Sequence, residues 1–336
     1  MAGSLTIPNS IGGQSGPTVA GSLFDANWTQ IAAYVNAREI VLDIFANRPA
    51  AGTAGRWFFA TDTGILYADN GAAWTQVALG TLAANLAETL TGLGITFVNG
   101  TSVTVGVGAC TSDDAAIANR VLMSQTAAIT GTTAGTFVVG TNQGKLDAGA
   151  IGNNQWWHVF SIKRVDTGVV DILFSLSPTA PTLPANYTKQ RRIGAFKTDG
   201  AAAILSFVQF EDEFLWSTAV LDIDITNPGT AAVLRTLTVP TGIQVWALFN
   251  FYIANVATNF NVYFSSPDQS DQAASITVAP LGQGGTTSAT AANYTLGVQR
   301  IRTNTSAQVR SRFSASGAGD ILRMATLGWI DRRGRG

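Results

Sequence analysis

The chain reads as a mainly β protein, and three observations carry that reading. First, from residue 95 onward the apolar residues fall into period-two or continuous runs of strand length, interrupted by clusters of Gly, Pro, Asn and Asp. Second, Asp62-Thr63-Gly64 and Asp69-Asn70-Gly71 are reversal signals between three short runs rich in aromatic and β-branched residues, since Asn-Gly supplies the positive φ angles that suit a hairpin. Third, only 12% of the 336 residues are charged, against about 25% in ordinary soluble domains, so partners are expected to cover much of the surface. The expected architecture is an N-terminal arm and short helix, a small three-stranded β-meander, and two domains of β-sandwich or jelly-roll type, assembled as a trimer.

Residues 1–46 would form the arm and helix. Residues 1–22 are rich in Gly, Ser, Thr and Pro without periodicity, which favours an extended or disordered segment able to dock on a larger assembly. Leu23, Ile31, Tyr34 and Val35 then fit one helix face, with Asp25 or Asn27 as the cap and Asn47-Arg48-Pro49 as the stop. The meander occupies 47–80. A sheet of about thirty residues cannot bury enough apolar surface by itself, so Trp57, Phe59, Leu66 and Trp74 need a neighbour, expected to be another copy. Residues 81–94 read as a linker in which the spacing of Leu82, Leu86 and Leu90 predicts a short helix before Gly92-Leu93-Gly94.

A first β domain is expected over 95–217, with Trp156–Val165 and Val169–Ser175 joined into a hairpin by Asp166-Thr167-Gly168. A C-terminal β-sandwich follows over 218–336, where strand-like runs succeed one another closely. Alternation disappears in Val245–Ala254, so both faces of that strand are expected to be covered, the outer one by an intersubunit interface.

Several of these stretches resemble a known family. Pro49 and Gly52, the Arg56-Trp57-Phe58 strand, the Ala60-Thr61-Asp62-Thr63-Gly64 turn and Asp69-Asn70-Gly71 before Trp74 resemble the N-terminal part of bacteriophage tail and head fibres. Residues 23–39 are similar to the amphipathic segment that precedes this module in such fibres. Within the first β domain, Trp156–Ile162, Gly168–Ser175, Pro178, Pro181, Leu183-Pro184, Tyr187, Arg191-Arg192-Ile193-Gly194 and Thr198-Asp199-Gly200 are similar to a segment that recurs in phage fibre and spike proteins. The resemblance implies a virion protein, made in the bacterial cytoplasm and carried on the particle as a tail or head fibre. Its implied partners are other copies of itself as a homotrimer, phage capsid or tail proteins through the arm, and a host-surface polysaccharide or protein. It implies adhesion without a covalent step. A structural decoration or connector protein and a surface-polysaccharide depolymerase are the alternatives.

Residue usage narrows the chemistry. The single Cys110 excludes an intrachain disulfide and any multi-cysteine zinc site, and the single His158 removes most nucleophile-base pairs. No cofactor or metal is expected. A net charge of −1 leaves no overall basic footprint for nucleic acid. No apolar run reaches the roughly 18 to 20 residues of a membrane span, and Met1-Ala2-Gly3-Ser4 lacks the features of an export signal. The tail Asp331-Arg332-Arg333-Gly334-Arg335-Gly336 reads as a solvated terminus.

Two clusters remain as candidate sites. Trp156, Trp157 and His158 can stack on sugar, although a half-buried strand histidine explains His158 equally simply. Arg191 and Arg192, after Lys189-Gln190, can grip an anionic polysaccharide or a capsid protein through charge-assisted hydrogen bonds, or belong to a solvated loop. Asp222 and Asp224 form an alternative acidic site. Period-two alternation sets them on one strand face, where paired carboxylates suit glycoside cleavage or calcium. A solvated strand face, with Leu221, Ile223 and Ile225 toward the core, accounts for the same pattern.

Overall fold

The computed structural model describes residues 40–62, 65–77, 88–255, 259–286 and 293–335. Strands make up 51% of them, no helix reaches seven residues, and one of the several sheets curls into a half-barrel. The arm, the helix expected over 23–39 and most of the helix expected after residue 81 lie outside the described residues. The chain divides into two compact units, Met1–Gly80 and Thr81–Gly336.

The first unit holds a four-stranded sheet in the order β1 (Ile40–Asp43), β2 (Trp57–Ala60), β3 (Ile65–Asp69) and β4 (Trp74–Gln76). Strands β2, β3 and β4 run antiparallel as a meander, and β1 adds to β2 in parallel. The sheet thus has one strand more than expected: Ile40-Val41-Leu42 favours extended backbone, and the short 3-10 turn Phe45–Asn47 returns the chain toward β2. Phe58 and Ala60 are its buried apolar residues, whereas Trp57, Phe59, Leu66 and Trp74 are half-buried.

Polar contacts brace this thin core. Asp69, at the end of β3 and only 2% exposed, accepts the backbone N–H groups of Gly52, Thr53 and Gly71 at 3.1, 3.0 and 2.8 Å. It also accepts the Arg56 guanidinium at 2.5 Å. Burial alone would raise its pKa, but the Arg56 ion pair and the backbone donors outweigh burial and hold the carboxyl at about 2. At the neighbouring reversal, the Asn70 side chain accepts the N–H groups of Ala72 and Ala73, and Gly71 takes φ +91°.

The second unit begins with β5 (Leu90–Gly92), β6 (Ile95–Asn99), β7 (Ser102–Val105), β8 (Gly108–Thr111) and β9 (Leu122–Gln125). There follow β10 (Ile129–Thr136), β11 (Gln143–Leu146), β12 (Trp156–Lys163), β13 (Val170–Ser175) and β14 (Lys189–Lys197). A seven-stranded sheet runs β14-β12-β13-β11-β10-β7-β6, and β5-β8-β9 form a sheet of three. Strands β12 and β13 make the hairpin expected at Asp166-Thr167-Gly168, with Gly168 at φ +77°. Both faces of β12 are buried. Trp157 and Val159 join the main core on one side, while Phe160, Ile162, Leu173 and Tyr187 form a second cluster on the other.

Next come β15 (Phe207–Phe210), β16 (Glu213–Thr226), β17 (Val233–Thr236), β18 (Trp246–Asn255), β19 (Asn261–Ser265), β20 (Gly284–Gly285), β21 (Asn293–Arg302), β22 (Gln308–Phe313) and β23 (Ile321–Ile330). They form a five-stranded sheet, β15-β16-β23-β18-β21, and a four-stranded sheet, β17-β22-β19-β20. The two meet through Phe249 and Phe251 of β18 on Phe264 of β19, with ring centroids 5.6 and 5.0 Å apart.

The boundary expected between 217 and 218 falls inside the continuous strand β16, which corrects the reading of separate domains over 95–217 and 218–336. Ser217-Thr218-Ala219 is an exposed stretch of strand whose polarity mimics a linker. One hydrophobic core runs from Leu93 to Trp329, so the two halves fold as one body. In β18 alternation returns: Ala247, Phe249, Phe251 and Ile253 point inward and are buried, while Trp246, Leu248 and Tyr252 on the other face are half-buried.

Candidate functional site

The residues singled out in the sequence lie mostly in the interior of the second unit, which corrects their reading as a sugar platform. Trp156 is half-buried and packs edge-on against Trp329, 5.4 Å away, beside Trp216 at 5.8 Å. Phe214 stacks on the same Trp329 at 4.9 Å. This aromatic cluster welds β12 to β16 and β23. Trp157 and His158 are buried outright, because β12 is a central strand covered on both faces. Burial, reinforced by the Arg192 charge, pushes the His158 pKa down to about 3, so the imidazole is neutral at physiological pH.

Arg191 and Arg192 are buried as well. Arg192 makes a two-pronged ion pair with buried Asp331, at 2.7 and 2.5 Å. Arg191 stands across the ladder from Ser161 and reaches the Thr111 carbonyl at 3.5 Å. The tail is therefore no solvated terminus. Arg333 donates to the carbonyls of Ile193 and Gly92 at 2.8 and 3.1 Å and also to that of Leu93, and Arg335 pairs with Asp212. The physical reason is that strand ends in the interior leave carbonyls without ladder partners, and guanidinium groups supply several donors at once.

The acidic pair separates too. The ladder between β16 and β23 slips by one residue between Leu221 and Ile223, so Asp222 occupies a bulge. Its carboxylate accepts the Thr238 N–H at 2.7 Å, the Thr238 hydroxyl at 2.6 Å and the Thr326 hydroxyl at 2.5 Å. Asp224 instead faces solvent and accepts Arg323 at 2.8 Å. The bulge also turns Leu221 outward while Ile223 and Ile225 stay packed on the core. The two carboxylates thus serve different partners. Among the described residues, no group of three or more His, Cys, Asp or Glu is placed to hold a metal ion.

Among the concavities of the second unit, two are lined by polar side chains of several strands. The larger, about 520 Å³, lies between β5, the β15–β16 turn and the tail, with Gln209, Glu211, Asp212, Arg333 and Arg335 in its wall. Its arginines are already engaged with carbonyls and with Asp212. The smaller, about 380 Å³, opens at the edge of the two packed sheets, lined by Trp246 of β18, Tyr263 and Ser265 of β19, Ser266, Gln269, Gln283, and Arg300 and Arg302 of β21.

The smaller groove is built from strand geometry. Period two puts Arg300 and Arg302 on the outward face of β21 while Ile301 points to the core. Register sets Trp246 opposite Arg302, and the Arg300 guanidinium lies over the Trp246 ring, 5.0 Å from its centroid. Arg302 pairs with Asp268 at 2.7 Å, and Asp268 also accepts the Gln244 amide. Gln283 accepts the Phe264 N–H at 2.8 Å and Gln269 accepts the Ser266 N–H at 3.3 Å. Each glutamine thereby turns its carbonyl oxygen to the backbone, and its NH₂ group has no hydrogen-bond partner among the described residues. Sequence reasoning missed this groove because its members come from four separate stretches. The readable signal was Arg300-Ile301-Arg302, a two-residue alternation of cation and apolar residue on a strand.

No protein-family model matches the chain, and no curated protein matches it.

Proposed function

We propose that the protein is a bacteriophage fibre or spike subunit that adheres to the host surface by non-covalent glycan binding, with the groove between β18, β19 and β21 as the contact site. The observation that carries this reading is the groove's make-up. Aromatic rings beside outward amide, hydroxyl and guanidinium donors match a saccharide, whose ring faces are apolar and whose edges carry acceptors. A shallow site of this size binds weakly alone, and several copies on one particle raise avidity because later contacts become intramolecular.

An exposed apolar row on the same sheet supports the proposal of self-association. Tyr294, Leu296 and Val298 alternate along β21 with exposures of 60, 65 and 68%, all on the outer face of the five-stranded sheet. Apolar rows of this kind on a sheet face mark surfaces that partners cover. The partner proposed is another copy of the chain, in a trimer, and the apolar row gives way to Arg300 and Arg302 where the groove begins.

The test uses the full chain. Labelled protein is applied to a panel of bacterial cells and to the same cells stripped of capsule, and its mass is recorded by light scattering. Saturable binding that is lost on stripping and in Trp246→Ala, with a three-chain mass, is the expected result. A folded oligomer that binds no cell overturns the adhesin reading in favour of a structural virion component. Release of reducing ends from a bound polysaccharide would identify a depolymerase instead.

A further inference from the structure

We infer that the groove selects anionic saccharides, carrying carboxylate or phosphate, and that Arg300 is the residue that reads the charge. This inference rests on the glycan-adhesion reading and deepens it. The neighbouring arginines of the two packed sheets are occupied: Arg302 by Asp268, Arg312 by Asp271, Arg323 by Asp224, Arg310 by the Gln269 and Pro267 carbonyls, and Arg235 by the Pro228 carbonyl. Arg300 differs from all of them. Its guanidinium rests on Trp246 and, among the described residues, makes no hydrogen bond or ion pair.

That placement has a physical meaning. A guanidinium fork donates two parallel charge-assisted hydrogen bonds to a carboxylate or a phosphate. Stacking on an indole restricts the fork's orientation before a ligand arrives, so less rotamer entropy is lost on binding. Asp268, the carboxylate paired with Arg302, is also bonded by Gln244, and among the described residues no carboxylate pairs with Arg300. The free amide groups of Gln269 and Gln283 add donors. A donor-rich site with one unanswered positive charge fits an acceptor-rich anion and not a neutral chain of hydroxyls alone.

The experiment is calorimetric titration of the full-length protein with three size-matched probes: a hyaluronan oligosaccharide for carboxylate, a ribitol-phosphate teichoic acid oligomer for phosphate, and dextran as the neutral control. The variants are Arg300→Gln and Arg300→Lys, both expected to keep the wild-type melting temperature because Arg300 is exposed and unbonded. One or both anionic probes should bind while dextran does not, with affinity falling as salt rises. Arg300→Gln should weaken the anionic probe by roughly 10- to 100-fold, the loss expected for a charged hydrogen-bonding group, and Arg300→Lys should recover part of it. Dextran bound as tightly as the anionic probes, with Arg300→Gln unchanged, overturns the charge selection and leaves glycan adhesion standing. Failure of all three probes, together with failure to bind any cell, overturns both.

Discussion

The sheet of residues 40–77 and the body of residues 88–335 solve the same problem at different scales. The small sheet buries Phe58 and Ala60 and little else, leaves Ile40, Leu42 and Phe45 exposed, and is braced by donors converging on Asp69. The large unit shares one aromatic core across its sheets and tolerates ionic groups inside it, Lys145 on Asp171 at 2.6 Å and Arg192 on Asp331. A sheet too small for a core depends on its polar hub and on whatever covers its apolar edge. A body with a full core tolerates buried charge where a partner meets it, as Asp171 meets Lys145 and Asp331 meets Arg192.

Breaking a buried pair in the large unit should have the largest effect. Asp331→Leu leaves Arg192 charged and unanswered in the interior, at a cost of about 3–5 kcal/mol, read as a shift in denaturant midpoint followed by tryptophan fluorescence. The double change Arg192→Leu with Asp331→Leu should recover most of it. If the single and double variants unfold alike, the pair does not couple the tail to β14.

Acid should then separate the two units. His158 is held neutral, with its pKa lowered to about 3, whereas an unfolded chain takes up that proton near pH 6.5. The large unit therefore loses stability as pH falls from about 6.5 toward 3, and His158→Gln should flatten that slope. Proton NMR gives a direct check, because the sole imidazole should not titrate between pH 7 and 4. Asp69 works lower on the scale. Its carboxyl is depressed to about 2, so its contribution to the small sheet is present above about pH 4 and fades below it. Asp69→Asn should lower the melting of the small sheet alone, with the large unit's transition unmoved. The smallest effect is expected for Asp224→Ala, since both it and Arg323 are about half exposed. Exposed pairs of this kind contribute roughly 0–1 kcal/mol, read as a shift in denaturant midpoint at or near zero.

Local signals in the sequence located local structure. Asp166-Thr167-Gly168 and Asn70-Gly71 specify their hairpins because turn chemistry acts over a few residues. The run Val245–Ala254 reads as a strand covered on both faces, yet within β18 burial alternates, with Ala247, Phe249, Phe251 and Ile253 inward and Asn250 exposed on the other face. What sequence could not show was pairing at a distance. Arg191-Arg192 looks like a solvated basic run until Asp331, 139 residues from Arg192, arrives beside it. Asp222 and Asp224 look like a same-face pair until a one-residue bulge parts them. The groove was hard to read for the same reason, since its lining residues come from four separate stretches around residues 246, 263–269, 283 and 300–302.

Arg333 bonds the Gly92 carbonyl across a separation of 241 residues, and this sets an order for biosynthesis. The strands near residue 92 leave the ribosome early, yet their last hydrogen-bond donors are made only when residue 333 is added. Until then those carbonyls and the Arg192 charge wait on water, and the early half of the large unit remains an open intermediate. A chain interrupted anywhere before Asp331 would keep that unfinished surface, with the Gly92, Leu93 and Ile193 carbonyls left to water.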